Sequence, residues 1–198
     1  MLLLVLKVDY KLAVLGSLAF GFSTYLIIIL GVGHNAKAHA IAYMPLVLSG
    51  ILLSFQKKYV FGFLLTTVAL GLELSANHYQ MTFYLLLLVL VLGLVFLIEA
   101  YKNSALVEFF KGIVVLLVAV LLSIGLNATN LLATQEYVKE STRGKSELTI
   151  NPDKSPKEIT NGLNREYITA FSYGKVETLN LFIPRFMGGG SYENVGKN

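Results

Sequence analysis

Five apolar segments constrain the fold of this chain more than any other feature. They occupy residues 12–30, 38–55, 60–76, 81–100 and 107–126. Each has about 17 to 20 residues, and at a helical rise of about 1.5 Å per residue each reaches roughly 25–30 Å, close to the thickness of a bilayer's hydrocarbon core. The sequence predicts an all-α, polytopic transmembrane helix bundle of about five spans.

Composition agrees with a membrane protein and predicts a boundary near residue 127. The 198 residues are 55% hydrophobic and 14% charged, with a mean hydropathy of +0.66. This is too apolar for a soluble domain and too long for a single anchor. Residues 1–127 hold 7 basic and 4 acidic residues, whereas residues 128–198 hold 9 and 8. We therefore predict a helix bundle over 1–127 and a polar segment over 128–198.

The N-terminus and the residue usage exclude several classes of protein. Residues 1–6 are apolar, and Lys7, Asp9 and Lys11 follow them. A signal peptide has its positive charge first, so we interpret this stretch as the tail of a partial N-terminal span. The chain contains no cysteine, which excludes disulfides and thiolate metal sites. No nucleic-acid partner is expected, because most lysines of the bundle lie at helix ends.

The lysines predict which side of the membrane each loop faces. Alternate threading of the five segments puts six lysines on one side: Lys7, Lys11, Lys57, Lys58, Lys102 and Lys111. The short loops on the other side contain only Lys37. Because cytoplasmic loops carry an excess of Lys and Arg, the lysine-rich side should be cytoplasmic. The loop 31–39, the corner 73–80 and the segment 128–198 are then expected to be extracytoplasmic.

Glu73 is the strongest candidate for a functional residue. An acid inside an apolar span is costly, which makes it a functional-site hypothesis by default. Asn77 lies four residues later, on the same face of a continuous helix, and Gln80 continues that stripe. We predict that Glu73 accepts the proton of an acceptor hydroxyl or orients it, and that Asn77 and Gln80 bind substrate. The alternative is structural, with Glu73 paired to Lys37 or to a histidine.

Basic and amide side chains are candidates for binding a phosphate. His34, Asn35 and Lys37 follow a Gly-x-Gly turn at the start of the second segment, where a charge and backbone N–H groups meet. The alternative is a capping loop with a lysine that reaches toward water. Arginine's planar fork also suits phosphate. The polar segment adds three basic candidates for a pyrophosphate or an acidic polymer, unless they belong to a mixed-charge surface: Arg143, Lys145 and Arg165.

The histidines are predicted to be extracytoplasmic, and we assign His39 and His78 to substrate binding. Together with Glu73, the three histidines His34, His39 and His78 offer three nitrogens and one oxygen to a divalent metal. The sequence lacks a local ligand motif such as His-Glu-x-x-His. We therefore expect hydrogen-bonding histidines near the interface, no cofactor and no metal, and a divalent ion remains the alternative.

Four stretches resemble the YfhO family of bacterial integral membrane proteins. They contain the strings Gly33-His34-Asn35-Ala-Lys37-Ala-His39, Glu73-Leu-Ser-Ala-Asn77-His78-Tyr-Gln80, Ser141-Thr-Arg143-Gly-Lys145 and Leu181-Phe-Ile-Pro184-Arg-Phe-Met-Gly188. The resemblance covers almost the whole chain in order. Family members are much longer, so the chain looks like an internal fragment or a truncated relative.

The resemblance implies a function in the cell envelope. The family looks like C-type glycosyltransferases, which move a sugar from a polyprenyl-phosphate carrier to an acceptor at the outer face of the bacterial cytoplasmic (inner) membrane. The implied partners are membrane lipids, a polyprenyl-phosphate-linked sugar and a cell-envelope polymer. Such enzymes usually carry an essential acid in their first outer loop, and residues 31–38 contain none. This chain alone is therefore expected to be inactive, and a lipid or polymer transporter or a non-catalytic scaffold is the alternative.

Overall fold

The structure is a computed structural model that describes residues 1–139, 141, 166, 169, 172, 174–181, 183 and 186. The predicted all-α fold is confirmed, and the described residues contain no strand. The chain divides into two compact units, Met1–Thr134 and Gln135–Asn198. A 3-10 helix in the second unit covers Glu177–Leu181. The α-helices are α1 (Leu2–Val5), α2 (Tyr10–Gly21), α3 (Thr24–Gly31), α4 (Asn35–Phe55), α5 (Tyr59–Ser75), α6 (Tyr79–Lys102), α7 (Leu106–Leu126) and α8 (Ala128–Lys139).

The helices have the length and composition of membrane spans. Four stretches of the described chain are long and apolar enough to cross a bilayer, namely Tyr10–Gly31, Asn35–Phe55, Tyr79–Lys102 and Leu106–Leu126. Helix α5 is apolar but shorter, with 17 residues, and reaches about 25 Å at a rise of about 1.5 Å per residue. The bounds agree with the predicted segments to within a few residues. The protein is a multi-pass membrane protein.

The first predicted span is interrupted, which the apolar pattern does not predict. Helix α2 ends at Gly21, and α3 begins at Thr24. The hydroxyl oxygen of Ser23 accepts a hydrogen bond from the backbone N–H of Leu26 at 3.5 Å. A serine at this position satisfies one N–H of a new helix that would otherwise lack a partner. Residues 12–30 therefore form two helices with a break at Phe22 and Ser23.

Helices α4 and α5 are antiparallel and pack backbone to backbone. A Cβ atom added to Gly50 would lie 2.7 Å from the backbone nitrogen of Thr66, and one added to Gly62 would lie 2.7 Å from that of Ser54. Small residues permit this approach in membrane helices. Gly50 is thus level with Thr66, and Ser54 with Gly62. The same antiparallel register, continued toward the start of α4, puts His39 at the level of Asn77. The start of α4 and the end of α5 thus lie at one end of the bundle.

Helices α5 and α7 are parallel and are joined by side-chain hydrogen bonds. The hydroxyl of Ser123 donates to the backbone carbonyl of Thr67 at 2.9 Å, and the amide of Asn127 donates to that of Gly71 at 3.0 Å. Both partners advance by four residues in the same direction, so the C-terminal ends of α5 and α7 lie together. We call this the histidine end, formed by the start of α4, the α5–α6 turn and Asn127.

The opposite end is also closed by side-chain contacts. The ring of Phe55 stacks on those of Phe96 and Phe109, with centroid separations of 4.6 Å and 5.4 Å. The hydroxyl of Tyr59 donates to Glu108 Oε2 at 2.8 Å. These contacts join the ends of α4 and α6 to the beginnings of α5 and α7. We call this the lysine end, because the α4–α5 turn at Lys57 and the end of α6 lie there.

Candidate functional site

Glu73 lies on the last turn of α5, at the histidine end, and is fully buried. Its exposed fraction is 0%. The hydroxyl of Thr82, on the first turn of α6, lies 3.0 Å from Oε1 and 3.1 Å from Oε2 of Glu73. A polar group inside a membrane protein is costly unless it has a hydrogen-bond partner. The Glu73–Thr82 pair supplies that partner and joins α5 to α6 across the turn between them.

The sequence offered Lys37 or a histidine as the structural partner of Glu73, and the structure puts Thr82 there. Within the described residues the ion pair that is present joins Lys111 to Glu108, far from Glu73 at the lysine end. Thr82 is only weakly indicated by the sequence, because it lies nine residues after Glu73, just beyond the polar corner. Without knowledge of where the turn lies, that spacing does not indicate a contact.

The predicted stripe of Glu73, Asn77 and Gln80 is not one helical face. Helix α5 ends at Ser75, and Asn77 adopts a left-handed backbone with a φ of 56°. Asparagine tolerates this conformation better than most residues do, which favours a turn here. Gln80 belongs to α6, where its amide donates to the hydroxyl of Tyr84 at 2.7 Å. Asn77 and Gln80 therefore lie on different elements from Glu73.

The turn between α5 and α6 still exposes polar groups at the histidine end. The Oδ1 atom of Asn77 accepts a hydrogen bond from the hydroxyl of Thr134 at 3.4 Å. His78 precedes the first residue of α6 and is half-buried, and its Nδ1 atom is buried without a hydrogen-bond partner. A buried imidazole nitrogen with no partner is uncommon in folded proteins. Among the predicted residues that the structure describes, His78 is the one with a buried polar atom that lacks a hydrogen bond.

The predicted phosphate-binding residues lie at the start of α4. His34 is the N-cap of this helix, and its side chain makes no capping hydrogen bond. His34, Asn35 and His39 are exposed, whereas Lys37 is half-buried. The ammonium of Lys37 lies 5.3 Å from the ring centroid of Tyr25, within the range of a cation–π contact. The start of α4 thus has a cation, Lys37, close to backbone N–H groups that no side chain caps.

The histidine end combines an exposed group of residues with a buried one. The register of α4 and α5 brings His39 to the level of Asn77, so the start of α4 and the α5–α6 turn lie at the same end. Glu73 lies inside the bundle, whereas His34, Asn35 and His39 face outward. The structure therefore brings those predicted residues that it describes to one end, without lining a single pocket with all of them.

An apolar cavity of about 370 Å³ lies among α4, α5, α6 and α7. Its walls include Ile51, Leu70 and Leu116, and its few polar side chains include Tyr79 and Thr82. None of the predicted site residues lines it directly. Thr82, which holds Glu73, is nevertheless part of its wall. The cavity therefore lies next to the Glu73–Thr82 pair, with Thr82 as the shared residue.

The remaining predicted site residues and the metal hypothesis can be placed only in part. Arg143, Lys145 and Arg165 lie outside the described residues. Within the part of the chain that the structure describes, no three His, Asp or Glu side chains come close enough to hold a metal ion. The alternative of a divalent metal site is therefore not supported in the described residues. Its four predicted ligands, which do not form a cluster, are His34, His39, His78 and Glu73.

Comparison with known proteins gives no relative for this chain. No family model, no curated protein and no solved structure matches it. The resemblance to the YfhO family therefore stays a prediction.

Proposed function

We propose that this protein belongs to a bacterial inner-membrane machinery that transfers a sugar from a polyprenyl-phosphate carrier to a cell-envelope polymer. The histidine end would face the outside of the cytoplasmic membrane, in keeping with the lysines at the opposite end. The proposal depends mainly on the fully buried Glu73, which is held by Thr82 beside an apolar cavity. A carboxylate in that position combines a potential proton acceptor with a space suited to hydrocarbon.

The proposed reaction uses Glu73 as the general base. The acceptor hydroxyl would form a bond to the anomeric carbon of the sugar while the bond from that carbon to the carrier phosphate breaks. Glu73 would take the proton of the hydroxyl, and the polyprenyl phosphate would leave as an anion. In the resting structure Thr82 donates its hydrogen to the carboxylate. The acceptor hydroxyl would therefore have to replace Thr82 as the donor to Glu73.

The start of α4 would contact the phosphate of the carrier. Lys37 supplies a positive charge in the first turn of α4, and no side chain caps the first N–H groups of this helix. An anion is stabilised by a helix N-terminus and by a neighbouring cation. Asn35, His34 and His39 are exposed around it and can donate further hydrogen bonds. Asn77, His78 and Gln80 would contribute contacts to the sugar or the acceptor from the α5–α6 turn.

Because this chain alone is expected to be inactive, the test compares variants in membranes that contain the full-length parent that the resemblance implies. Membranes would be incubated with a radiolabelled polyprenyl-phosphate sugar, and label in the polymer fraction would be measured. Glu73→Gln keeps the size of the side chain and a hydrogen-bond acceptor for Thr82 but removes the base. We expect the rate of transfer to fall by about 10²–10⁴-fold, the usual contribution of general base catalysis. Glu136→Gln, an acid on the exposed surface of α8, is the matched control.

The full burial of Glu73 also favours a second candidate, a lipid or polymer transporter or a scaffold without catalysis. A carboxylate that is closed off and hydrogen-bonded can hold α5 and α6 together without taking part in a reaction. The same membranes separate these functions. Carrier that crosses the bilayer with its sugar intact supports transport. Transfer that Glu73→Gln leaves unchanged contradicts the proposed role of Glu73.

A further inference from the structure

A second cavity, of about 420 Å³, lies at the lysine end, at the opposite end of the bundle from Glu73. Its apolar wall includes the stacked rings of Phe55, Phe96 and Phe109. Its polar wall includes Lys57 and Glu99. The cavity therefore combines a cation, two carboxylates, of which the second is Glu108, and aromatic faces in one space.

This cavity is polar near the turns and apolar deeper in the bundle, as a binding site for an amphiphile would be. Lys57 and Asn103 lie in the turns after α4 and α6, at the level where lipid headgroups are found. Phe96 lies nearly two turns before the end of α6 and so deeper in the bilayer. The exposed surface of α6 beside it carries Val95 and Ile98, which face hydrocarbon. A molecule with a polar head at the turns and acyl chains along α6 matches this gradient.

Glu99 leaves a negative charge available in the cavity. Within the described residues it makes neither an ion pair nor a side-chain hydrogen bond. The other carboxylate of the cavity, Glu108, already has two partners: Tyr59 at 2.8 Å and Lys111 at 3.3 Å. Glu99 is exposed and lies one turn inside the end of α6, so its carboxylate is accessible from the cavity. A cation from outside the described chain would supply a partner.

We propose that this cavity binds the headgroup of a zwitterionic phospholipid with a primary ammonium, of the phosphatidylethanolamine type. The ammonium lies between Glu99 and the faces of the phenylalanine rings, which attract cations. The phosphate lies against Lys57, and the acyl chains follow the exposed surface of α6. A headgroup with a phosphate but no ammonium would leave Glu99 without its cation and would be repelled by both carboxylates. This inference does not depend on the proposed transferase function.

The test is a lipid titration of the whole chain in detergent, followed by its thermal unfolding midpoint. Dioleoyl phosphatidylethanolamine and dioleoyl phosphatidylglycerol have the same acyl chains and differ only in the headgroup. We expect the ethanolamine lipid to raise the midpoint and the glycerol lipid to have a much smaller effect. Glu99→Gln should weaken binding of the ethanolamine lipid about tenfold, which corresponds to ~1.4 kcal/mol. Glu136→Gln is the control, because Glu136 lies outside the cavity.

Two further measurements do not depend on the folding of the Glu99 variant. N-acylated dioleoyl phosphatidylethanolamine keeps the phosphate but lacks the ammonium, so it should bind the unmodified protein about tenfold more weakly. Phe96→Leu removes a ring face and should reduce the preference for the ethanolamine lipid. Equal effects of the ethanolamine and glycerol lipids would overturn the proposal. The proposal would also be overturned if the N-acylated lipid bound the unmodified protein as tightly as the ethanolamine lipid does. The same holds if Glu99→Gln bound the ethanolamine lipid as tightly as the unmodified protein does.

Discussion

At the scale of single residues, Glu73 has two roles that compete for the same hydrogen bond. Its structural role uses the bond from Thr82, and its proposed role as a base needs that bond to be broken. Thr82 gives the carboxylate a donor, and the same hydroxyl must move before a substrate can use the site. A threonine can leave more easily than a lysine, because a neutral donor binds a carboxylate less strongly than a cation does. The contact therefore stabilises the bundle without permanently neutralising Glu73.

We expect Thr82→Val to lower the free energy of unfolding by about 1–3 kcal/mol, because it leaves a buried polar group without its partner. Valine has nearly the same shape as threonine, so packing should change little. The measurement is thermal or denaturant unfolding in detergent. Thr82→Ser keeps the hydroxyl and is the control. If the valine variant were as stable as the serine variant, the hydrogen bond to Glu73 would contribute nothing to stability.

The turns between helices contain a second residue-level feature. Gly33, Lys57 and Ser104 all have positive φ, at 82°, 66° and 53°. The next residue in each turn donates its N–H to a carbonyl five residues earlier; for Ser104 this is the bond from Ala105 to Ala100 at 2.8 Å. This pattern closes helix C-termini and favours glycine at the left-handed position.

We expect Ser104→Gly to stabilise the protein and Gly33→Ala to destabilise it, each by about 1 kcal/mol, because a side chain raises the energy of a left-handed backbone. A Cβ on Gly33 would meet no atom within 4 Å, so the effect there comes from the backbone alone. Unfolding midpoints of the two variants provide the measurement. Changes of the same sign in both would contradict this explanation.

At the scale of helices, close packing of α4 on α5 is the contact most sensitive to size. The backbone approach at Gly50 and Gly62 leaves no room for a methyl group. Close contact of this kind lets van der Waals attraction hold membrane helices together where the hydrophobic effect cannot. The α4–α5 hairpin therefore owes its geometry to two glycines and their partners Thr66 and Ser54.

We expect Gly50→Ala to lower the free energy of unfolding by about 1–3 kcal/mol, the usual cost of overpacking, because its Cβ would clash with the backbone of Thr66. Gly93→Ala on α6 is the matched control, since nothing lies within 4 Å of its Cβ. The control should be neutral or slightly stabilising, as alanine favours a helix more than glycine does. The free energy of unfolding of both variants would be measured in the same detergent. Equal destabilisation of the two variants would show that the close contact at Gly50 does not determine the effect of the added methyl group.

The helices could be predicted well from the sequence, whereas the breaks and contacts could not. Apolar length fixed the spans to within a few residues, because a bilayer allows little else. The interruption at Phe22 and Ser23 depends on a local serine cap inside an apolar run, which hydropathy does not reveal. The Glu73–Asn77 stripe failed as a helical face because the helix ends between them, at Ser75. Thr82 escaped prediction because its contact depends on the position of that turn.

At the scale of the whole molecule, the two ends of the bundle differ in chemistry. The lysine end has charged turns, a cavity with aromatic walls and the Tyr59–Glu108 contact. The histidine end has a buried carboxylate and exposed imidazoles. The parallel pairing of α5 with α7 fixes which turns share an end. The positive-inside rule then predicts which compartment each end faces.

The absence of cysteine allows the orientation to be measured directly. We expect Asn35→Cys to react with a membrane-impermeant maleimide in intact cells, because the histidine end should face outward. Lys58→Cys, at the other end, should react only after the cells are opened, since lysine-rich loops are cytoplasmic. Both residues are exposed. Labelling of Lys58→Cys alone in intact cells would reverse the orientation and remove the basis of the proposed extracytoplasmic reaction.

The bond between Asn127 and the carbonyl of Gly71 has a consequence for biosynthesis. Helix α5 leaves the ribosome long before α7, so its contacts with Ser123 and Asn127 must wait until α6 and α7 have been synthesised and inserted. During that interval α5 is held by the tight hairpin with α4 and, once α6 is present, by the Glu73–Thr82 contact. We therefore expect nascent chains that stop after α6 to retain the α4–α5 hairpin, and longer chains that include α7 and Asn127 to resist extraction from the membrane more strongly.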